Sequence, residues 1–112
     1  MATARVPDEP VTVTARRSGA VVGVAVGTCR DGDAHLGHLL VDAAVRGEGI
    51  GSHLLAAYGA EVAVRGAHRI LAGAPAGGGA ERFYRSRGFA TVATVPAWDR
   101  GRDVVVLERL LG

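Results

Sequence analysis

The chain has 112 residues, of which 48% are hydrophobic, and a formal net charge of +2 at pH 7. This length suits one domain over residues 1–112, with 1–10 as an N-terminal extension and 11–111 as the core, and the apolar runs are too short to span a bilayer. The small, dispersed charge argues against a nucleic-acid-binding protein, and residues 1–10 lack the apolar core of a signal peptide.

Hydrophobic periodicity predicts a mixed, mostly antiparallel sheet and two main helices, an α/β fold of the α+β type. Ser18-Gly19 suits a hairpin turn between the first two strands, and Gly66 suits the end of the first helix. The strands are expected over residues 11–15, 21–26, 34–41, 69–73, 89–95 and 103–110, and the helices over residues 49–65 and 80–87.

A glycine-rich turn between the third strand and the first helix is the most informative segment. Residues 46–51 read Arg-Gly-Glu-Gly-Ile-Gly. Glycines let backbone N–H groups approach a ligand closely, and a helix N-terminus favours negative charge. Arg46 adds a planar donor fork that suits phosphate oxygens. The turn therefore predicts a pyrophosphate site, but the chain has no lysine for a Walker A loop, and the glycine spacing differs from that of a dinucleotide fold.

Two motifs together resemble the GNAT superfamily of acyl-CoA N-acyltransferases. The first is Arg46-x-x-Gly49-x-Gly51, which resembles the acyl-CoA motif of that family. The second covers residues 80–89 and resembles the family's late helix and following strand, with Phe83-Tyr84 followed by Gly88-Phe89. The order and separation of the two motifs also match. The chain departs from the pattern at Ala43, where the family usually has proline, and at Gly77, where it often has asparagine.

This resemblance implies that acetyl-CoA, or another acyl-CoA, is the co-substrate, and that the strand before the turn supplies a backbone donor to the oxyanion. The residues expected to bind the cofactor are Leu40, Val41, Arg46, Gly47, Glu48, Gly49, Ile50, Gly51 and Ser52.

Tyr84 matches the motif tyrosine, which implies a role as the acid that protonates the departing thiolate; the alternative is a core aromatic residue. His35 and His38 are candidate bases, together with Asp33. Strand alternation places His35 and His38 on opposite faces, although a bulge near Val41 could exchange the faces.

Cys29 is the only cysteine, which excludes an internal disulfide and fits a reducing, cytoplasmic location. We interpret it as a small buried hydrophobic residue, the alternative being an acyl-enzyme nucleophile. The four histidines lack zinc-site spacing, so no metal is expected. All 13 basic residues are arginine, a bias typical of a GC-rich, bacterial coding sequence.

The predicted function is an N-acetyltransferase that moves an acetyl group from acetyl-CoA to a primary amine of a small molecule or peptide by direct attack. The alternative is a non-catalytic acyl-CoA-binding or regulatory subunit. In the family, a strand and two helices usually precede the first hairpin, whereas ten residues precede Val11. We therefore expect a homodimer, with the C-terminal strands or the bare N-terminal side at the interface, and no nucleic-acid or membrane partner.

Overall fold

The computed structural model describes residues 8–112, so most of the predicted N-terminal extension lies outside the described residues. Six strands form one sheet in the order β1-β2-β3-β4-β6-β5, and only the β3–β4 pair is parallel. This arrangement confirms the predicted fold class. The elements are β1 Glu9–Arg17, β2 Ala20–Arg30, β3 Asp33–Val41, α1 Ile50–Val64, β4 Arg69–Pro75, α2 Gly79–Ser86, β5 Ala90–Asp99 and β6 Arg102–Leu110, with a short 3-10 helix over Ala43–Val45.

Tight turns connect the antiparallel strands. Ser18-Gly19 has φ values of 52° and 82°, and Asp31-Gly32 and Arg100-Gly101 repeat this pair of positive values. Positive φ at both turn residues matches the right-handed twist of a hairpin. The strands extend beyond the predicted apolar runs because ladder pairing continues up to these turns, through polar residues as well.

Both helices pack on the same face of the sheet. There α1 and α2 enclose a core in which Tyr58, Val62, Ile70 and Leu107 are fully buried. Helix α1 begins after Gly49, whose φ is 83°, and ends before Gly66, whose φ is 91°. We call the face covered by α1 and α2 the helix face and the opposite one the open face.

The open face is apolar, and no helix of the described chain covers it. Its side chains are half-buried or exposed, and Leu40 is 58% exposed. β6 lies between β4 and β5, so the C-terminal strand has no free edge and contributes a face to the surface. The aliphatic residues of the open face include Val22, Val24, Val26, Leu40, Leu71, Ala93, Val95, Val104 and Val106.

The sheet splits between β3 and β4. These strands pair only as far as Leu36 and Ala72, after which β3 pairs with β2 alone and β4 with β6 alone. The Arg69 guanidinium holds the paired end together, since it contacts Asp33 at 2.8 Å and Glu108 at 2.6 Å. Beyond Leu36, the backbone of residues 37–41 is therefore unpaired on its β4 side.

A bulge at Gly37 marks the start of the split. In the β2–β3 ladder, Gly27 faces Leu36 and Val26 faces His38, so Gly37 has no partner. The extra residue puts His35 and His38 on the same face, the open one, because directly opposed residues share a face. Simple strand alternation therefore fails here, and the bulge that exchanges the faces lies four residues before Val41.

Candidate functional site

A cavity of about 940 Å³ opens on the helix face, where the split strand meets the glycine turn. It lies between the end of β3, the turn, the first residues of α1, and α2. Every residue expected to bind the cofactor lines it except Glu48. The full lining is Leu39, Leu40, Val41, Val45, Arg46, Gly47, Gly49, Ile50, Gly51, Ser52, Gly79, Ala80, Phe83, Tyr84 and Arg87.

Free backbone donors lie at the α1 end of this cavity. The first helical hydrogen bond runs from the His53 N–H to the Gly49 carbonyl at 3.1 Å, and no side chain caps the helix. The N–H groups of Ile50, Gly51 and Ser52 therefore lack intrahelical partners. Three such donors at a positive helix end form a site for phosphate oxygens.

The glycines of the turn serve two different purposes. Gly47 and Gly49 have φ values of 84° and 83°, and a Cβ on either would meet no neighbouring atom, so their backbone conformation requires glycine. Gly51 has no such φ, but its Cβ would lie 3.7 Å from Phe83 Cζ and 3.8 Å from Val41 Cγ2. A larger residue at 51 would therefore project into the cavity.

Two arginines line the cavity. Arg46 donates from Nε to the Val41 carbonyl at 3.3 Å, which folds its side chain back over the end of β3. Arg87 donates from Nε to Ser52 Oγ at 2.9 Å and stacks over the Phe83 ring at 5.6 Å. The contact of Arg87 with α1 depends on helix packing, which periodicity does not report.

Glu48 points elsewhere. Its carboxylate pairs with Arg17 at 2.6 Å, and this hydrogen bond lowers the pKa of Glu48. The ion pair ties the β1–β2 hairpin to the glycine turn and partly neutralises a carboxylate beside the expected phosphate site. Glu48 therefore supports the conformation of the turn in this structure and does not line the cavity.

Tyr84 lies at the inner wall of the cavity. It is 7% exposed, and its ring packs against Phe83 at 5.7 Å and Phe89 at 5.1 Å. Its hydroxyl makes no hydrogen bond to any residue of the described chain, and burial raises its pKa. A tyrosine that keeps its proton at neutral pH and has no protein partner is suited to donate that proton to a ligand.

The two candidate bases have different surroundings. His38 lines a second cavity on the open face, whereas His35 lines neither cavity. The His35 backbone carbonyl accepts a hydrogen bond from the Tyr58 hydroxyl at 3.1 Å. Asp33 is held by Arg69, which lowers its pKa. Only His38, of these three, adjoins the split.

Cys29 lies in the core, 5% exposed, and burial raises the pKa of its thiol. A buried, protonated thiol is a poor nucleophile.

Within residues 8–112 no group of three or more potential metal ligands is present. No helix in that range combines the length and apolarity needed to cross a bilayer.

The sequence profile of the acetyltransferase (GNAT) domain matches residues 8–91. Together with the fold and the glycine-turn cavity, this match shows that the chain belongs to the GNAT family of acetyltransferases. No curated protein matches the chain significantly.

Solved structures of this family have the same fold. A ribosomal-protein-alanine N-acetyltransferase from Brucella melitensis is 30% identical with a TM-score of 0.78, and the alignment covers 89% of this chain and 68% of that one. An acetyltransferase from Bacillus cereus is 27% identical with a TM-score of 0.82, covering 94% and 75%. An aminoglycoside 6'-N-acetyltransferase complexed with coenzyme A is 19% identical with a TM-score of 0.85, covering 93% and 74%.

Proposed function

We propose that this protein is an N-acetyltransferase that uses acetyl-CoA and a primary amine of a small molecule or peptide, by direct attack of the amine on the thioester. One observation carries the proposal: a single cavity joins free helix N-terminal donors at one end to an unpaired strand edge and the Tyr84 ring at the other. The pyrophosphate, the pantetheine arm and the thioester of an acyl-CoA would each meet a matching surface along this cavity.

Each part of the cofactor would meet a different element. The N–H groups of Ile50, Gly51 and Ser52, with Arg46, would bind the pyrophosphate. The pantetheine arm would pair with the free edge of β3 as an added strand. Backbone N–H groups near Leu40 and Val41 would then donate to the oxyanion that develops on the thioester carbonyl.

The proton steps follow from the side chains around the split. The neutral amine nitrogen attacks the carbonyl carbon, a C–N bond forms, and the C–S bond breaks with its electron pair leaving on sulfur. Tyr84 would donate its hydroxyl proton to that thiolate. His38 would accept the proton lost by the amine, directly or through water, since a neutral imidazole is a suitable base near pH 7.

We also propose a cytoplasmic homodimer. The support for a dimer is the apolar β2 side of the open face, where a second copy would cover Val22, Val24 and Leu40 and leave the part of that face over β4, β5 and β6 free. Light scattering at tens of micromolar tests this part, and a fully active monomer would contradict it.

The catalytic proposal is tested by titrating acetyl-CoA calorimetrically and then measuring free CoA release with a panel of amines. We expect binding, and release that depends on the amine. His38→Ala should remove the rise in rate with pH on the acidic side of the pH–rate profile, whereas the matched change His35→Ala should leave it in place. Binding without transfer to any amine would support a non-catalytic acyl-CoA-binding subunit instead.

A further inference from the structure

A second cavity, of about 530 Å³, lies on the open face of the sheet at the same split. Its floor consists of Gly37, Gly73, Pro75 and Val104, and His38 and Trp98 flank it. Residues 37–38 line this cavity and residues 39–41 line the acyl-CoA cavity. Because a strand rises roughly 3.3 Å per residue, the two cavities lie within roughly 10 Å of each other along β3.

No β3–β4 ladder closes the sheet between the two cavities, since pairing of these strands ends at Leu36 and Ala72. A group bound on the open face can therefore approach a thioester bound on the helix face through the split. His38 stands at this passage on the open-face side.

A bulge in β5 presents Trp98 to the second cavity. Val95 pairs with Val104 and Asp99 pairs with Arg102, so residues 96–98 are opposed by Asp103 alone. Ala97 takes a φ of 51°, and its N–H donates to Asp103 Oδ1 at 3.0 Å, which holds the bulge. Pro96 fits there because β5 is an edge strand. Bulges re-aim side chains.

The indole is 75% exposed, which is unusual for the largest apolar side chain of the protein. Because the indole lies beside a cavity, its exposed aromatic surface can stack on an apolar ligand bound there. The β5 bulge therefore places an exposed aromatic side chain beside the second cavity.

The second cavity offers no unpaired carboxylate to a ligand. Asp99 is its only acidic lining residue, and its Oδ2 pairs with Arg102 at 2.5 Å. The other acidic residues toward the paired end of the open face, Asp33 and Glu108, are both held by Arg69. Among the lining residues a polycation would find no carboxylate without an arginine partner, whereas an apolar body would find glycine, proline, valine and indole.

On this basis, and resting on the proposed acetyltransferase function, we propose that Trp98 determines the specificity of the acceptor subsite at the open-face cavity. The acceptor class is a primary monoamine on an apolar or aromatic body. Its body stacks on Trp98 and its amine points toward His38 and the split. Small arylalkylamines and peptides with an apolar N-terminal residue share this chemistry.

The single tryptophan of the chain supplies a binding assay that needs no turnover. Phenethylamine, or a short peptide that begins with phenylalanine, should change Trp98 fluorescence saturably in the presence of CoA. Spermidine and an aminoglycoside should not change it at the same concentrations. The phenethylamine and peptide arms distinguish the two sources of the acceptor, and no response to either would overturn the proposal.

Variants of Trp98 provide the kinetic test. Trp98→Ala should raise the KM for apolar monoamines about tenfold, and Trp98→Phe should restore most of the loss, since it keeps an aromatic surface. The matched control is Val92→Ala, because Val92 is exposed on the same strand and does not line the cavity. The affinity for acetyl-CoA should stay unchanged in all three variants.

Different results would contradict the subsite proposal and the proposed acetyltransferase function. If the wild-type protein acetylates spermidine or an aminoglycoside in preference to apolar monoamines, or if Trp98→Ala behaves like Val92→Ala, the subsite proposal is wrong and the acetyltransferase proposal stands. If the wild-type protein binds no acetyl-CoA, or acetylates no amine of any class, the proposed function itself fails.

Discussion

The Tyr58 hydroxyl donates a 3.1 Å hydrogen bond to the backbone carbonyl of His35, two residues before the bulge that starts the split. Tyr58 is fully buried on α1, the helix whose N-terminus forms the expected phosphate site. Gly27 makes room for the bond, since a Cβ there would overlap both the hydroxyl and the carbonyl oxygen. One contact therefore couples α1 to the place where β3 leaves β4.

This contact predicts an order of stabilities. Tyr58→Phe should lower the free energy of unfolding by about 1–2 kcal/mol, because a buried carbonyl loses its partner. Gly27→Ala should cost more, about 2–4 kcal/mol, because overpacking adds to the lost bond. Gly73→Ala is the strand-matched control, as its Cβ would meet Val104 at an ordinary 3.6 Å. Urea titration measures all three, and equal stability of Gly27→Ala and Gly73→Ala would contradict the packing described.

Alkaline pH should destabilise the protein through the same tyrosine. Burial raises the pKa of Tyr58 from 10.0 to about 12. The folded state then retains a proton that the unfolded state loses, so the contribution of Tyr58 to stability is constant below pH 10 and falls between about pH 10 and 12. The loss should reach roughly 2–3 kcal/mol, at about 1.36 kcal/mol per pKa unit. Unfolding curves for wild-type and Tyr58→Phe should converge over this range; a constant difference would argue against the raised pKa.

Gly51→Val should weaken acetyl-CoA binding by at least tenfold, roughly 1.4 kcal/mol, because the side chain enters the cavity between Phe83 and Val41. The backbone is helical there, so the fold should tolerate the change. Gly51→Ala and Gly59→Ala form a matched pair on α1, each gaining up to about 1 kcal/mol of helix propensity. Only the change at 51 should reduce affinity in calorimetry, and equal affinities would place the cofactor elsewhere.

Tyr84→Phe should lower kcat about 10–100-fold with little change in the KM for acetyl-CoA, because the hydroxyl would act mainly in the transition state. Its melting temperature should stay near the wild-type value, since the hydroxyl has no partner in the described chain. Tyr58→Phe should show the reverse pattern, with a lower melting temperature and an unchanged kcat. Unchanged turnover in Tyr84→Phe would reassign this residue to the core.

Arg87→Ala should weaken CoA binding about fivefold at low salt and flatten its salt dependence, because one guanidinium beside the expected phosphate site is lost. Arg85→Ala is the matched control, since Arg85 lies on the same helix, pairs with Glu81 at 2.9 Å and does not line the cavity. Equal effects of the two changes on the salt dependence would show that Arg87 acts only through the general charge of the protein.

Most of the features that the sequence predicted depend on the chemistry of neighbouring residues. Glycines with positive φ mark the turns, apolar alternation marks the strands, and the Arg46–Gly51 segment marks the expected phosphate site because its conformation and donors come from adjacent residues. The point at which strand alternation failed also has a physical cause. The relative faces of His35 and His38 depend on a bulge at Gly37, and one unpaired residue inverts the alternation for everything after it.

The amino-acid sequence by itself determined the family, the order of elements and the glycine turn that lines the first cavity, because each depends on neighbouring residues. Tertiary structure alone decided the split between β3 and β4, the contact of Arg87 with Ser52, and the meeting of His38 with Trp98 across β3 and β5. Those juxtapositions join residues 35 or more positions apart, and they depend on strand order and register. No local pattern encodes which distant strands become neighbours, so the cavity proposed for the acceptor became visible only in the folded chain.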